Sequence, residues 1–174
     1  DGTICGFHFE GTFDTGAYAS WGPTVATRVP VHASGPYAIA DYEARSAGIH
    51  TNNPPAGAFR GFGVPQSAIA QECLFEDLAG RLGIDSLEFR HKNALANGVP
   101  TVCGQVFSQG VGIRPCLAAL PPPWQRAKAT AAEAHPGAPM VRRGAGLARR
   151  RAGRAHPATA PPPTPRPRPR PRRR

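Results

Sequence analysis

No CxxC pair occurs anywhere in the 174 residues. The four cysteines, Cys5, Cys73, Cys103 and Cys116, stand 68, 30 and 13 residues apart. That spacing leaves no local motif for a zinc or iron–sulfur site. Nothing marks a small secreted scaffold either, so the expectation is reduced, buried thiols in a cytoplasmic protein. There is no run of about 18 apolar residues to span a membrane, and no signal peptide is visible. The Gly-Lys-Ser/Thr of a phosphate-binding P-loop is missing, as are HExxH and GxSxG. Gly61-Phe62-Gly63 begins like a dinucleotide fingerprint, but Gln66 stands where the third glycine belongs. His8, His32, His50 and His91 are scattered, with no pairing that makes a ligand set or a switch.

Acidic residues are missing from 148–174, which hold ten arginines. The formal charge of +10 therefore sits in that tail, and residues 1–147 carry 11 basic against 11 acidic side chains. Any affinity for nucleic acid or a membrane surface must rest on the tail alone. Its Arg, Pro and Ala cannot bury a core, so it is expected to be disordered, and Pro-Arg alternation favours polyproline II. The length suits one domain. Asp1-Gly2 is a hairpin dipeptide without the strand that should precede it, so an internal piece of a longer protein is expected.

Between these limits the pattern is mixed. Ile4, Phe7, Phe9 and Phe13 predict strand over 3–20, broken at Gly11. Trp21-Gly22-Pro23 signals a turn, with a short helix beginning over 24–27. Ser34-Gly35-Pro36 marks another turn, and weak alternation predicts strands near 36–40 and 43–50. A helix over 65–82 follows, with an apolar stripe of Ala68, Ile69, Cys73, Leu74, Leu78 and Leu82, closed by Gly83. Asp85-Ser86-Leu87-Glu88 reads as a capping box for a second helix over 86–95, with Leu87, Ala94 and Leu95 on one face. Residues 97–113 are turn-rich, and a last helix over 114–134 is interrupted by Pro121-Pro122-Pro123. Strands followed by two helices imply an α+β domain.

The stretch with the most concentrated chemistry is 51–66, TNNPPAGAFRGFGVPQ. A diproline stiffens its entry. Its glycines permit positive φ or close backbone approach to a ligand. Arg60 stands between Phe59 and Phe62, and Pro65 suits the first turn of the helix beyond. Arginine on such a loop donates planar hydrogen bonds to phosphate or oxo groups, and Phe62 offers a face for a flat substrate. The same residues also suit a tight connection, with both phenylalanines in the core and Arg60 capping a carbonyl. Composition leaves both readings open.

The run Ala58-Phe59-Arg60-Gly61-Phe62-Gly63-Val64-Pro65-Gln66 resembles the AFRGFG-x-PQ signature of the xanthine dehydrogenase/aldehyde oxidase family, in its molybdenum-binding subunit. Asp14-Thr15-Gly16-Ala17-Tyr18 resembles the family's D-x-G-A-Y strand, and Tyr37 and Thr51-Asn52 stand at about the family's spacing. The segment from Asp85 to Asn93 resembles its D-P-x-E-F-R-x-x-N helix, with Ser86 in place of proline, and Thr101, Gly104 and Gln105 resemble T-x-x-G-Q. The likeness covers residues 1 to about 147.

The resemblance implies part of the molybdenum-binding domain of a molybdenum hydroxylase. In such enzymes the molybdopterin cofactor binds the metal through its own dithiolene, so no protein side chain need be a metal ligand. It implies that Phe59, Arg60 and Gly61 lie beside the cofactor, that Phe62 faces a flat small-molecule substrate, and that Arg28 orients it. Arg28 is matched by spacing alone, and an ordinary surface arginine is the other reading. It further implies that electrons leave through iron–sulfur clusters and FAD on other domains or subunits, in a dimeric holoenzyme without a membrane or nucleic-acid partner. The family's catalytic glutamate, in a Gly-Glu pair, has no counterpart here, so no catalytic residue is assigned and the chain alone is expected to be inactive. The expected organisation is 1–120 as part of the cofactor-binding domain, 121–147 as a linker or helical segment of the same subunit, and 148–174 as the tail. The Arg/Pro tail departs abruptly from the family after Leu147 and reads as a reading-frame shift. The competing function is an adaptor whose tail binds SH3-like domains or nucleic acid.

Overall fold

The computed structural model describes residues 1–133 and 143–147. Strand β1 (Gly6–Gly16) pairs with strand β2 (Asp41–His50) in a two-stranded parallel sheet. Gly6 stands opposite Asp41 and Asp14 opposite Ile49, and a bulge then sets Gly16 opposite His50. Parallel neighbours require a crossover, and helix α1 (Gly22–His32) provides it. The pleat puts Phe7, Phe9, Phe13 and Tyr42 half-buried on one face and His8, Glu10, Glu43 and Arg45 in solvent on the other. The tight start of α1 depends on Gly22, where an added Cβ would fall 1.5 Å from Thr15 Oγ1.

Helix α2 (Val64–Leu82) starts at Gly63 with a proline in its first turn. It ends at Gly83, whose φ of 65° lets Ile84 N–H return to the Ala79 carbonyl at 2.9 Å. Helix α3 (Ser86–Asn93) is capped by Asp85, which accepts from Leu87 N at 2.9 Å and Glu88 N at 3.4 Å. Two short helices, α4 (Ile113–Ala118) and α5 (Pro121–Ala132), complete the described chain.

Two apolar clusters meet at α3. The first gathers Tyr37, Ile39, Phe75, Ala79 and Phe89. Phe75 is its hub, edge-on to Tyr37 at 4.8 Å and to Phe7 at 5.9 Å, and tilted against Phe89 at 5.9 Å. The second packs Leu87, Ala94, Leu117 and Trp124 together. Trp124 also donates its indole N–H to Asp85 Oδ1 at 2.9 Å, and Lys128 Nζ reaches Asp85 Oδ2 at 2.6 Å. One carboxylate thus caps α3 and fastens α5.

The mixed helix and strand content agrees with the sequence reading, but several elements differ. β1 runs through Gly11 unbroken, because the inward rings of Phe9 and Phe13 close over the glycine. The helix expected only to begin over 24–27 is the eleven-residue crossover α1, so a helix lies between the strands rather than after them. No strand forms over 36–40; Tyr37 makes a single antiparallel bridge to Ala94. The expected apolar stripe of α2 largely faces outward, with Ile69 68% and Leu82 54% exposed. Its buried line is Ser67, Gln71, Phe75 and Ala79. Ser67 tolerates this because its hydroxyl donates to Val64 O at 2.9 Å, and Phe75 brings the large apolar area. The three prolines open α5 instead of breaking a helix, since first-turn N–H groups have no intrahelical partner. α3 ends at Asn93, with Ala94 already extended. All four cysteines are free, as expected, but exposed rather than buried. The tail at 148–174 lies outside the described residues.

Candidate functional site

Because β1 and β2 are parallel, their C-terminal ends lie together, and the segments leaving them are neighbours. β1 leads through 17–21 into α1, and β2 leads through 51–63 into α2. Asp14, near the end of β1, ties the second segment to the first. Its carboxylate accepts from Gly16 N–H at 2.7 Å, from the Thr51 hydroxyl at 2.7 Å and from Asn53 Nδ2 at 2.5 Å. These bonds hold the carboxyl below its ordinary pKa, the Asn53 amide foremost. Backbone bonds follow the same seam: Ala17 N to Asn53 O at 3.0 Å, Thr51 N to Gly16 O at 3.2 Å and Ala56 N to Thr15 O at 3.1 Å. Gly16 sits at φ 74°, and a Cβ there would lie 2.4 Å from Pro54 O.

Beyond this seam, residues 52–60 are exposed, Phe59 by 75%. The backbone coils tightly through Gly61 (φ 94°), Phe62 (φ 52°) and Gly63 (φ 95°). Phe62 N–H donates to Phe59 O at 2.9 Å and Val64 N–H to Gly61 O at 3.1 Å. A Cβ on Gly63 would press on Val25 O and Val29 Cγ2, both at 3.0 Å, so the loop lies directly on α1. Arg60 is exposed and forms no ion pair among the described residues. The start of α2 has no side-chain cap and no acidic residue in its first turn, so its positive end is uncompensated.

Of the five residues singled out from sequence, Phe59, Arg60 and Gly61 form the outer part of this loop. Arg28 and Phe62, from different elements, come together: the Arg28 guanidinium carbon lies 5.8 Å from the Phe62 ring centroid. Sequence reasoning missed Trp21, whose ring meets Phe62 edge-on at 5.9 Å. Among the described residues, the non-glycine positions with positive φ are Ser20 (44°) and Phe62 (52°), which flank this contact. Backbone strain collected at one place is a mark of functional loops. Two open hollows of ≈610 and ≈620 Å³ lie along α5 and the outer side of α2, away from this loop. The loop is an open wall rather than an enclosed pocket.

The block 85–93 braces the fold. Arg90, 4% exposed, binds Glu72 at 3.0 Å and Glu76 at 2.8 Å, and Tyr37 O–H donates to Glu72 at 2.9 Å. Burial works against the Arg90 charge, but Tyr37 and the two carboxylates outweigh it and leave its pKa above the ordinary value. Asn93 donates to Gly2 O at 2.8 Å and accepts from Ile4 N at 2.8 Å, pinning the start of the chain to α3. Among the described residues no group of three His, Cys, Asp or Glu is placed to hold a metal ion. No described helix is long and apolar enough to cross a membrane.

These features define a domain that presents a glycine-rich, cationic loop at the carboxyl ends of parallel strands. Residues 1–94 match the family model of the molybdopterin cofactor-binding domain, and the chain belongs to that family. It is similar to the nicotinate dehydrogenase large molybdopterin subunit of Eubacterium barkeri, 43% identical over 113 residues, covering 65% of this chain and 27% of the relative. It is also similar to the xanthine dehydrogenase molybdenum-binding subunit of Escherichia coli O157:H7, 36% identical over 113 residues, covering 64% of this chain and 15% of the relative. The solved aldehyde oxidoreductase from Desulfovibrio gigas superposes with a TM-score of 0.66 at 32% identity, over 72% of this chain and 14% of that one. The chain thus spans roughly a quarter or less of the length of these relatives. The residues present fit an anionic, partly planar cofactor: a free guanidinium on an exposed, glycine-rich loop, beside a helix start with no acidic residue in its first turn.

Proposed function

We propose that this chain forms one wall of the active site of a molybdenum hydroxylase, which oxidises a flat heterocycle or an aldehyde with oxygen from water. The observation that carries the reading is the meeting of Arg28 with Phe62, 34 residues apart in sequence, beside the Phe59–Gly61 loop. When bound, the molybdopterin group supplies the oxygen-transferring and two-electron-accepting centre. Arg60 and the backbone through Gly61 hold its anionic part, and Phe59 covers it. Phe62 stacks on the flat substrate. Arg28 donates to a substrate carbonyl or ring nitrogen and stabilises negative charge that develops there. The acid–base group is not assigned within this chain. Iron–sulfur and flavin modules on other domains or subunits take the electrons onward, in a dimeric holoenzyme. Residues 1–120 serve as part of the cofactor domain, with 121–147 as a further segment of the same subunit. The family match weighs against an adaptor role for the chain as a whole.

In enzyme assembled with its electron-transfer partners, Arg60→Ala is expected to lower bound molybdenum per subunit. Arg28→Ala is expected to raise KM for an oxo-substituted heterocycle far more than for a neutral aldehyde. Unchanged metal content in the first variant and a uniform KM change in the second would sink the assignment. The chain alone, supplied with cofactor, is expected to give no substrate-dependent dye reduction.

A further inference from the structure

We infer that Asp14 is a positioning residue for the cofactor-facing loop. The inference rests on the reading of that loop just proposed and extends it to a residue on another element. Asp14 accepts hydrogen bonds from the Thr51 hydroxyl (2.7 Å) and the Asn53 amide, at the point where β2 gives way to the loop. Thr51 passes the constraint on, accepting from Asn53 N–H at 3.1 Å. Residues 52–60 are exposed and bury no apolar side chain of their own. Core packing therefore does not fix where Phe59, Arg60 and Gly61 stand. Their place is set at two ends: by Gly63 against α1, and by the seam that Asp14 closes against β1.

A carboxylate suits this task better than an amide. It offers acceptor sites in several directions at once and has no N–H to misdirect toward the Asn53 amide. The bonds are charge-assisted, which makes them the stronger members of the seam. Because Asp14 itself is exposed, replacing it removes the tether without opening a cavity.

The test compares Asp14→Ala, Asp14→Asn, Asn53→Ala and the reversed pair Asp14→Asn with Asn53→Asp, first in the full chain. Amide exchange at Ala17, Thr51 and Ala56 is expected to accelerate about tenfold in Asp14→Ala and Asn53→Ala, with Phe75 and Ala79 in α2 within about twofold of the parent. Asp14→Asn, the mildest change, is expected to fall between parent and Asp14→Ala, and it carries the test if Asp14→Ala fails to fold. The reversed pair is expected to restore protection. In the assembled enzyme, molybdenum content is expected to follow the same order. Equal acceleration in α2 would mean general loosening and would overturn the inference, as would unchanged exchange at the seam. Faster exchange with full molybdenum retention in both Asp14→Ala and Arg60→Ala would keep the tether but remove the loop's cofactor role, and the positioning role with it. A loss of molybdenum from Arg60→Ala but not from Asp14→Ala would leave the proposed function standing and sink this inference alone.

Discussion

Asp85 serves two helices, and its removal separates two kinds of stabilisation. The carboxylate caps α3 through Leu87 and Glu88 N–H and receives the Trp124 indole and the Lys128 ammonium. Asp85→Ala loses a cap worth about 1 kcal/mol. It also strands the indole N–H of Trp124, which is 8% exposed, at a cost of roughly 1–2 kcal/mol. The Lys128 pair is part-exposed and adds about 0.5 kcal/mol. The expected loss is therefore about 3 kcal/mol. Asp85→Asn keeps an oxygen for the cap and the indole and is expected to lose about 1 kcal/mol. The pH dependence has the same origin. Burial would raise the Asp85 pKa, but Lys128, Trp124 and the two backbone N–H groups bring it from 3.8 down to about 2. A depressed folded pKa means stability that is fully present above 3.8 and lost as pH falls toward 2. The integrated loss is on the order of 2 kcal/mol and arises from the same contacts. The assay is urea unfolding of the full chain by circular dichroism and by tryptophan fluorescence, with iodide to silence the exposed Trp21. The parent should lose stability through this acid window and Asp85→Asn should lose less. Equal stability of Asp85→Ala and parent, or the same acid profile in parent and Asp85→Asn, would refute the reasoning.

Gly16→Ala forces a Cβ into the left-handed region and onto Pro54 O, and is expected to cost roughly 2–4 kcal/mol. A thermal scan checks it, and an unchanged midpoint would show that residues 51–56 do not rest on β1 as described. Arg90→Ala leaves Glu72 and the buried Tyr37 hydroxyl without their cation, for an expected loss of about 3 kcal/mol. Arg90→Met should recover part of this in the same unfolding assay, because it fills the volume; a greater loss with Met than with Ala would count against the packing argument.

What the sequence made legible was local chemistry. Gly83, Asp85 and Pro65 mark helix ends through bonds to their immediate neighbours, and those ends fall where expected. The positive φ of Gly61 and Gly63 was likewise readable from residue type. The buried face of α2 was not. Apolar spacing favoured Ile69 and Leu74, but α1 and Tyr37 choose the face that carries Ser67, Gln71 and Phe75. The extent of α1 beyond 24–27 was not legible because Pro30 lies inside it and valines fill it, both poor helix signals overridden by packing against the strands. The site divides the same way. Phe59 to Phe62 stood out as a motif, whereas the tie from Asp14 to Asn53 spans 39 residues and leaves no mark in local pattern. Trp21 read as a turn residue because its contact with Phe62 is made only in the folded chain.

The eight-residue helix α3 turns Phe89 into one apolar cluster and Leu87 into the other. The two clusters therefore share a wall, and loosening one is expected to weaken the other. Substitutions in them will not be thermodynamically independent: a Phe75 truncation and a Leu117 truncation should interact through α3 although the side chains belong to different clusters. The two apolar clusters are then expected to respond as one cooperative unit through α3, while the loop at 58–63 answers to its own tethers.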